Sequence, residues 1–368
     1  MKYLITGGGT GGHIYPALAI ANEIRSKDKT ADILYVGTEK GLESELVPKE
    51  GFQFKTIRVK GMPRRINKES FIALKELLHG INDAKKIIKD FKPDVVIGTG
   101  GYVCGPVVYM AKKKKILAII HEQNAFPGIT NKILSRYVDK VLVTFDEAKK
   151  YFKYPDRVVN VGNPIREKIV KINSEESYKT LDIEKNIPLI LSFGGSGGQK
   201  KLNDAMYYFI KESIERKDVQ VIHVTGKRFY EEFIDRLNRD NIKLPKNIKV
   251  YSYFYEIPEA LNIASLVITS SGAITLAEIS AVGVPSILIP KAYTAENHQE
   301  YNARAFSDKG ASVLMLEKDL NHKDFSNTIN KLIKDEERLT KMARASKSLG
   351  KVDAAKRIVN IINEIAKK

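Results

Sequence analysis

The chain is predicted to be an α/β protein built as two doubly wound, Rossmann-like halves, and three observations predict it. Its 368 residues suit two domains, since one domain runs to roughly 100–200 residues. Short apolar runs alternate with amphipathic stretches almost throughout, the pattern of parallel sheets covered by helices on both faces. Each half also carries a glycine-rich turn directly after a strand, Gly7–His13 in the first and Gly194–Gln199 in the second. Open α/β sheets bind ligands at the carboxyl ends of their strands, so a matched pair of turns predicts two sites facing a central cleft.

In the first half, strands are expected at Tyr3–Thr6, Ile33–Val36, Phe54–Val59, Val95–Gly98, Ile116–Ile120, Val141–Thr144 and Val158–Val161, with helical patterns in most of the gaps. The stretch Glu167–Asn186 is polar and charged, and the rhythm then restarts. Second-half strands are expected at Leu189–Phe193, Val219–Val224, Ile248–Tyr251, Leu266–Thr269, Ser286–Ile289 and Ser312–Leu316. Gly162-Asn163-Pro164 reads as the hinge, because Gly and Pro punctuate it and Pro164 restricts the residue before it. The expected division is an N-terminal domain over 1–163, a C-terminal domain over 164–343, and a closing segment over 344–368. In that segment Ile358, Ile361, Ile362 and Ile365 share one helical face. The pattern leaves open whether this helix closes the second domain or crosses back to the first.

Composition narrows the function classes. Lys and Arg number 61 against 44 Asp and Glu, a net charge of +17 that favours anionic partners or reflects a lysine-rich solvated surface. The single cysteine, Cys104, allows no intrachain disulfide or thiolate metal cluster, fits a reducing cytoplasm, and reads as a small buried thiol. The N-terminus starts with a strand and lacks signal-peptide regions, and no apolar run reaches the ~18 residues of a membrane span. A soluble or peripheral protein on the cytoplasmic side is expected. A nucleic-acid binder is disfavoured, since neither a recognition-helix pattern nor an aromatic stacking motif is present.

In the first turn, glycines let backbone approach a ligand closely, and the amides opening the helix Pro16–Arg25 favour an anion. Gly7, Gly9 and Gly12 also match a dinucleotide fingerprint, with Glu39 as its ribose acid, so an NAD-dependent oxidoreductase is the alternative enzyme. His13 at the mouth of the turn reads either as a general base or as a residue bonded to nearby backbone. In the second half, Ser270–Glu278 follows a strand and opens a helix ending near Gly283. Amides around Ala273, Ile274 and Thr275 suit a diphosphate, and Glu278 suits two ribose hydroxyls unless it is merely solvated. Asn297-His298-Gln299 suits sugar hydroxyls or is a polar loop.

Together the segments Gly8–His13, Gly98–Tyr102, His121–Asn124, Val161–Arg166, Gly194–Ser196, Gly272–Glu278 and Asn297–Gln299, in that order, resemble the MurG family of cell-wall glycosyltransferases over essentially the whole chain. The resemblance implies a GT-B architecture and inverting transfer of N-acetylglucosamine (GlcNAc) from UDP-GlcNAc to the muramyl 4-hydroxyl of lipid I, giving lipid II in peptidoglycan synthesis. It implies that Thr10, Gly11 and Gly12 approach the donor sugar and acceptor diphosphate, and that Asn124 and Gln299 contact GlcNAc. Arg166 and Ser196 are implied at the donor phosphate, Phe254 backbone at the uracil, Ala273–Thr275 at the diphosphate and Glu278 at the ribose. Departures from the family are Ser270 where many relatives have Arg, unusual residues at Gly197 and Gln199, and aromatic Phe254 in an aliphatic place. His13 is the first choice as base, with Glu122 second, or instead orienting His13 or the acceptor. No D-x-D motif occurs, so no obligatory metal or other cofactor is expected.

The implied setting is the inner face of the cytoplasmic membrane, with cell-wall synthesis proteins as further partners. Phe71, Ile72, Leu74 and Leu78, flanked by Arg64, Arg65, Lys68 and Lys75, suit an anionic phospholipid surface or form an ordinary core face.

Overall fold

The computed structural model describes residues 1–63, 67–165 and 168–366. The chain divides into two compact units, Met1–Ile165 with Val352–Lys368, and Arg166–Lys351.

The first unit holds a seven-stranded sheet: β1 (Lys2–Thr6), β2 (Asp32–Gly37), β3 (Gln53–Thr56), β4 (Val95–Gly98), β5 (Leu117–Glu122), β6 (Lys140–Val143) and β7 (Val158–Asn160). The order is β3-β2-β1-β4-β5-β6-β7, and every pairing is parallel. The second unit holds β8 (Leu189–Phe193), β9 (Gln220–Val224), β10 (Ile248–Tyr251), β11 (Leu266–Thr269), β12 (Ser286–Leu288) and β13 (Ser312–Leu314), in the order β10-β9-β8-β11-β12-β13, again parallel. All the expected strands are present. Two, β3 and β13, stop more than one residue short of the apolar run. β3 ends at Thr56 because its one partner β2 ends at Gly37, and β13 ends at Leu314 opposite Leu288, the end of β12. An edge strand lasts only as long as its single neighbour supplies ladder partners.

Helices cover both faces of each sheet, so central strands such as β4, β8 and β11 are buried end to end and apolar on both sides. The last helix, Ala354–Ala366, belongs to the first unit. Its Ile358, Val359 and Ile362 join one core cluster with Ile14, Ala17 and Ile24 of the helix Gly11–Lys27. A helix of this length is marginal alone. Burying each isoleucine contributes about 1.5–3 kcal/mol, which holds the helix in place.

In each sheet the chain reverses its winding between two central strands, β1 and β4 in one and β8 and β11 in the other. The two glycine-rich turns follow β1 and β8, so each stands at the switch point of its own sheet, where doubly wound folds bind ligands.

Candidate functional site

In the first unit, the turn after β1 is held from both sides. Gly8 N–H donates to the carbonyl of Gly100, just past β4, at 3.3 Å. The buried carboxylate of Glu43 accepts from Gly9 N–H at 3.2 Å, from Thr38 N–H at 3.1 Å and from the Thr38 hydroxyl at 2.7 Å. The following helix begins earlier than its apolar pattern suggests, at Gly11, with Thr10 as the extended N-cap residue. The Thr10 carbonyl accepts from His13 and Ile14 N–H at 3.1 and 3.2 Å, while its exposed side chain makes no capping bond. Gly12 is exposed beside it, and Pro16 has no N–H to give to the Gly12 carbonyl. The turn thus presents backbone polar groups and one hydroxyl to solvent.

His13 lies in the first helical turn, half-buried, with Nδ1 3.0 Å from Gln123 Oε1 and 3.1 Å from the Thr99 carbonyl. Gly100 makes this possible. Its φ is +109°, and a Cβ there would come within 2.7 Å of His13 Nδ1. Gly101, with φ +82°, is equally constrained, because a Cβ would fall 2.2 Å from the Gly8 carbonyl oxygen.

Glu122, at the end of β5, corrects one expectation. Its Oε1 accepts from Asn124 N–H at 3.0 Å and Asn124 Nδ2 at 3.1 Å, and its Oε2 accepts from Gly128 N–H at 3.1 Å and Asn131 Nδ2 at 2.8 Å. It is 1% exposed. Such a carboxylate organises the loop that carries Asn124. Its oxygens are already committed, and the group bonded to His13 is Gln123, not Glu122.

In the second unit, the turn after β8 and the segment after β11 converge. A Cβ at Gly195 would lie 3.4 Å from Ser270 Oγ and 3.9 Å from Lys291 Nζ. Ser196 is exposed. The helix Ala273–Val282 starts at Gly272 with no side-chain cap, and its first backbone bond is Leu276 N–H to Gly272 O at 3.0 Å. The amides of Ala273, Ile274 and Thr275 precede that bond and form the positive helix end. Glu278, on the same helix, is buried rather than solvated. Gln299 is tied at both ends of the residue: Oε1 accepts from Lys291 N–H at 3.0 Å, and its backbone carbonyl accepts from Ser271 Oγ at 2.6 Å. Phe254 is buried and stacks on Tyr251 at 4.7 Å. Arg166 lies outside the described residues.

The helix Lys68–Phe91 buries Ala73, Gly80, Ala84, Ile87 and Ile88. Phe71, Ile72, Leu74 and Leu78 are 73%, 51%, 47% and 60% exposed, and Lys75 is exposed beside them. These apolar residues are therefore not the core face. Arg64 and Arg65 lie outside the described residues. Among the described residues, no helix is long and apolar enough to cross a membrane.

Comparison with known proteins accounts for both units. Residues 3–143 match the glycosyltransferase family 28 N-terminal domain and residues 189–358 its C-terminal domain. A Finegoldia magna protein is 50% identical over 98% of this chain and 97% of its own. It is named UDP-N-acetylglucosamine–N-acetylmuramyl-(pentapeptide) pyrophosphoryl-undecaprenol N-acetylglucosamine transferase. A Clostridioides difficile protein of the same name is 48% identical over 99% of this chain and 89% of its own. The crystal structure of Acinetobacter baumannii MurG superposes with a TM-score of 0.79 and 25% identity, covering 99% of each chain. The chain belongs to the MurG family. Membership makes it a glycosyltransferase of two Rossmann-like domains and sets aside the dinucleotide-dependent oxidoreductase. A UDP-GlcNAc 2-epimerase from Neisseria meningitidis, at 15% identity and a TM-score of 0.70, shares the fold alone.

Several residues of these sites have no signature of their own in the sequence. Gln123 belongs to the segment His121–Asn124, but no pattern tells which of its residues faces His13. Glu43 and Lys291 carry no local signal, because each acts on a segment distant in the chain, and Asn131 reaches back nine residues to Glu122 across a loop.

Proposed function

We infer that this protein transfers GlcNAc from UDP-GlcNAc to the muramyl 4-hydroxyl of undecaprenyl-diphosphate-linked MurNAc-pentapeptide, with inversion, at the cytoplasmic face of the membrane. The observation that carries this reading is the near full-length identity to transferases of that name.

The chemistry assigned to the residues is direct displacement. The acceptor oxygen attacks the anomeric carbon, the bond from that carbon to the UDP oxygen breaks, and the hydroxyl proton passes to His13. A general base is worth about 10²–10⁴ in rate. The His13 imidazole is suited to it, since the oxygens bonded to Nδ1 leave Nε2 as the basic atom. Negative charge developing on UDP is met by the amides of Ala273, Ile274 and Thr275 at their helix end, with Arg166 and Ser196 alongside. Glu278 takes the ribose hydroxyls, Asn124 and Gln299 the GlcNAc, and the Phe254 backbone the uracil. Thr10, Gly11 and Gly12 stand at the acceptor diphosphate. The exposed apolar row Phe71, Ile72, Leu74 and Leu78 with Lys75, Arg64 and Arg65 meets anionic phospholipid.

Transfer of radiolabelled GlcNAc from UDP-GlcNAc to a lipid I analogue tests the activity, and lack of transfer by folded protein refutes it. His13→Ala is expected to lower kcat at least 100-fold at saturating substrates; turnover within a fewfold of wild type removes His13 as base.

A further inference from the structure

The polar groups behind His13 form a chain whose donor and acceptor roles are fixed. Gln123 is the centre of it. One end of its side-chain amide lies 2.8 Å from the Thr99 carbonyl, 3.2 Å from the His121 carbonyl and 3.0 Å from His121 Nδ1. Carbonyls only accept, so this end is the NH2 group and the oxygen end faces His13 at 3.0 Å. His121 Nδ1 must then accept, which puts its one proton on Nε2, 2.8 Å from the Gly162 carbonyl. Each link demands the next. Turning the Gln123 amide over would set its oxygen against two carbonyl oxygens.

We propose that His121 and Gln123 are positioning residues for the base, a buried relay from the Gly162 carbonyl that holds His13 in the Nδ1–H tautomer and presents its bare Nε2 to the acceptor hydroxyl. The proposal rests on the reading of His13 as the base. His121 and Gln123 are 0% and 1% exposed, so water cannot substitute for a lost partner. Burial, the largest effect on His121, pushes its pKa down to about 4, so it stays neutral and keeps a bare Nδ1, with no proton to oppose the Gln123 NH2. Glu122, next in sequence, is bonded to the Asn124–Asn131 loop instead. The carboxamide that meets His13 orients the ring without adding the negative charge that an aspartate brings in a hydrolase triad.

A wrong tautomer costs about 10⁴-fold in kcat when no other acceptor holds the ring. Here the Thr99 carbonyl remains within reach of Nδ1. Gln123→Leu is therefore expected to lower kcat roughly 10–100-fold, with KM for UDP-GlcNAc changed less than about twofold. His121→Phe is expected to cost less, and the double variant no more than Gln123→Leu alone, as for residues acting in one chain.

Imidazole ¹⁵N spectra of the full-length protein, labelled at histidine and assigned by loss of signal in His13→Ala, read the tautomer directly. The expected wild-type spectrum, at a pH that leaves the ring neutral, has the proton on Nδ1, and Gln123→Leu adds the Nε2–H form. A wild-type His13 protonated on Nε2 overturns the relay without any variant. So does a folded Gln123→Leu enzyme with kcat within twofold of wild type. Failure of the underlying reading looks different: His13→Ala itself stays active.

Discussion

Lys291 Nζ donates a 2.8 Å hydrogen bond to the carbonyl of Gly198, tying the loop after β12 to the glycine turn after β8. Burial lowers the Lys291 pKa, and the nearby carboxylate of Glu317 partly offsets this. Lys291→Met keeps the aliphatic stem and removes the donor. The expected result is a rise of about tenfold in KM for UDP-GlcNAc with little change in kcat, the size of one hydrogen bond from a charged group. Steady-state kinetics with varied donor decides it, and an unchanged KM shows that the turn keeps its shape without this bond.

Glu122 separates scaffold from base. Removing a carboxylate that satisfies four N–H groups strands them in a buried loop, so Glu122→Ala is expected to cost about 3 kcal/mol or more. Calorimetry should show a melting temperature lower by several degrees. In Glu122→Gln, activity is expected to fall through weaker GlcNAc binding while the pH profile of kcat keeps its shape. Loss of the acidic limb of that profile would return Glu122 to the list of bases.

Glu278 is buried on the helix whose first amides carry the proposed diphosphate site. If it binds both ribose hydroxyls, Glu278→Ala loses two charge-assisted bonds, and donor affinity should fall roughly 30-fold or more. Titration calorimetry with UDP measures this. Comparison with the 2′-deoxy nucleotide isolates the hydroxyl, since wild type should discriminate and the variant should not.

The helix Lys68–Phe91 offers a test that leaves catalysis aside. Phe71 and Leu78 are mostly exposed, so Phe71→Ser with Leu78→Ser should cost the fold little. Sedimentation with vesicles containing anionic phospholipid should fall severalfold in this variant, and again in Lys75→Glu. Wild-type protein that sediments equally with neutral vesicles, or not at all, contradicts the membrane patch.

Two histidines set an acid limit on stability. Burial, as the dominant cause, lowers His121 to about 4 and His223 to about 3. An unfolded histidine takes up its proton near pH 6.5, so below that pH the unfolded chain binds more protons than the folded one. Stability is complete above about pH 6.5 and falls by about 1.4 kcal/mol per pH unit for each histidine down to the folded pKa. Urea unfolding at pH 7 and pH 5 should differ by about 2 kcal/mol per histidine. His223→Leu removes one of the two rings and should roughly halve that difference.

The sequence by itself determined the strands, their parallel pairing into two doubly wound halves, and the two glycine turns. Those properties are written in local patterns: apolar runs of strand length, helical spacing between them, and glycine where a strand meets a helix. The motif segments also carried the family, because their order along the chain is itself information. What it left open depended on contacts between distant residues. The isoleucine face of the last helix shows that it must be buried, yet only the packed structure brings Ile358 and Ile362 against Ile14 and Ala17. The apolar residues near Phe71 read as surface or as core, and the packed helix buries Ala84 and Ile88 instead. His13 belonged to the site from the start, but its partner did not. In His121-Glu122-Gln123-Asn124, Glu122 carries the charge, and chemistry alone favours it as the companion of a base. The tertiary structure gave that place to Gln123, because the loop ending at Asn131 consumes the carboxylate while the Thr99 and His121 carbonyls fix the amide. Hydrogen-bond direction inside a buried network is decided by all of its members together, and no one segment contains them.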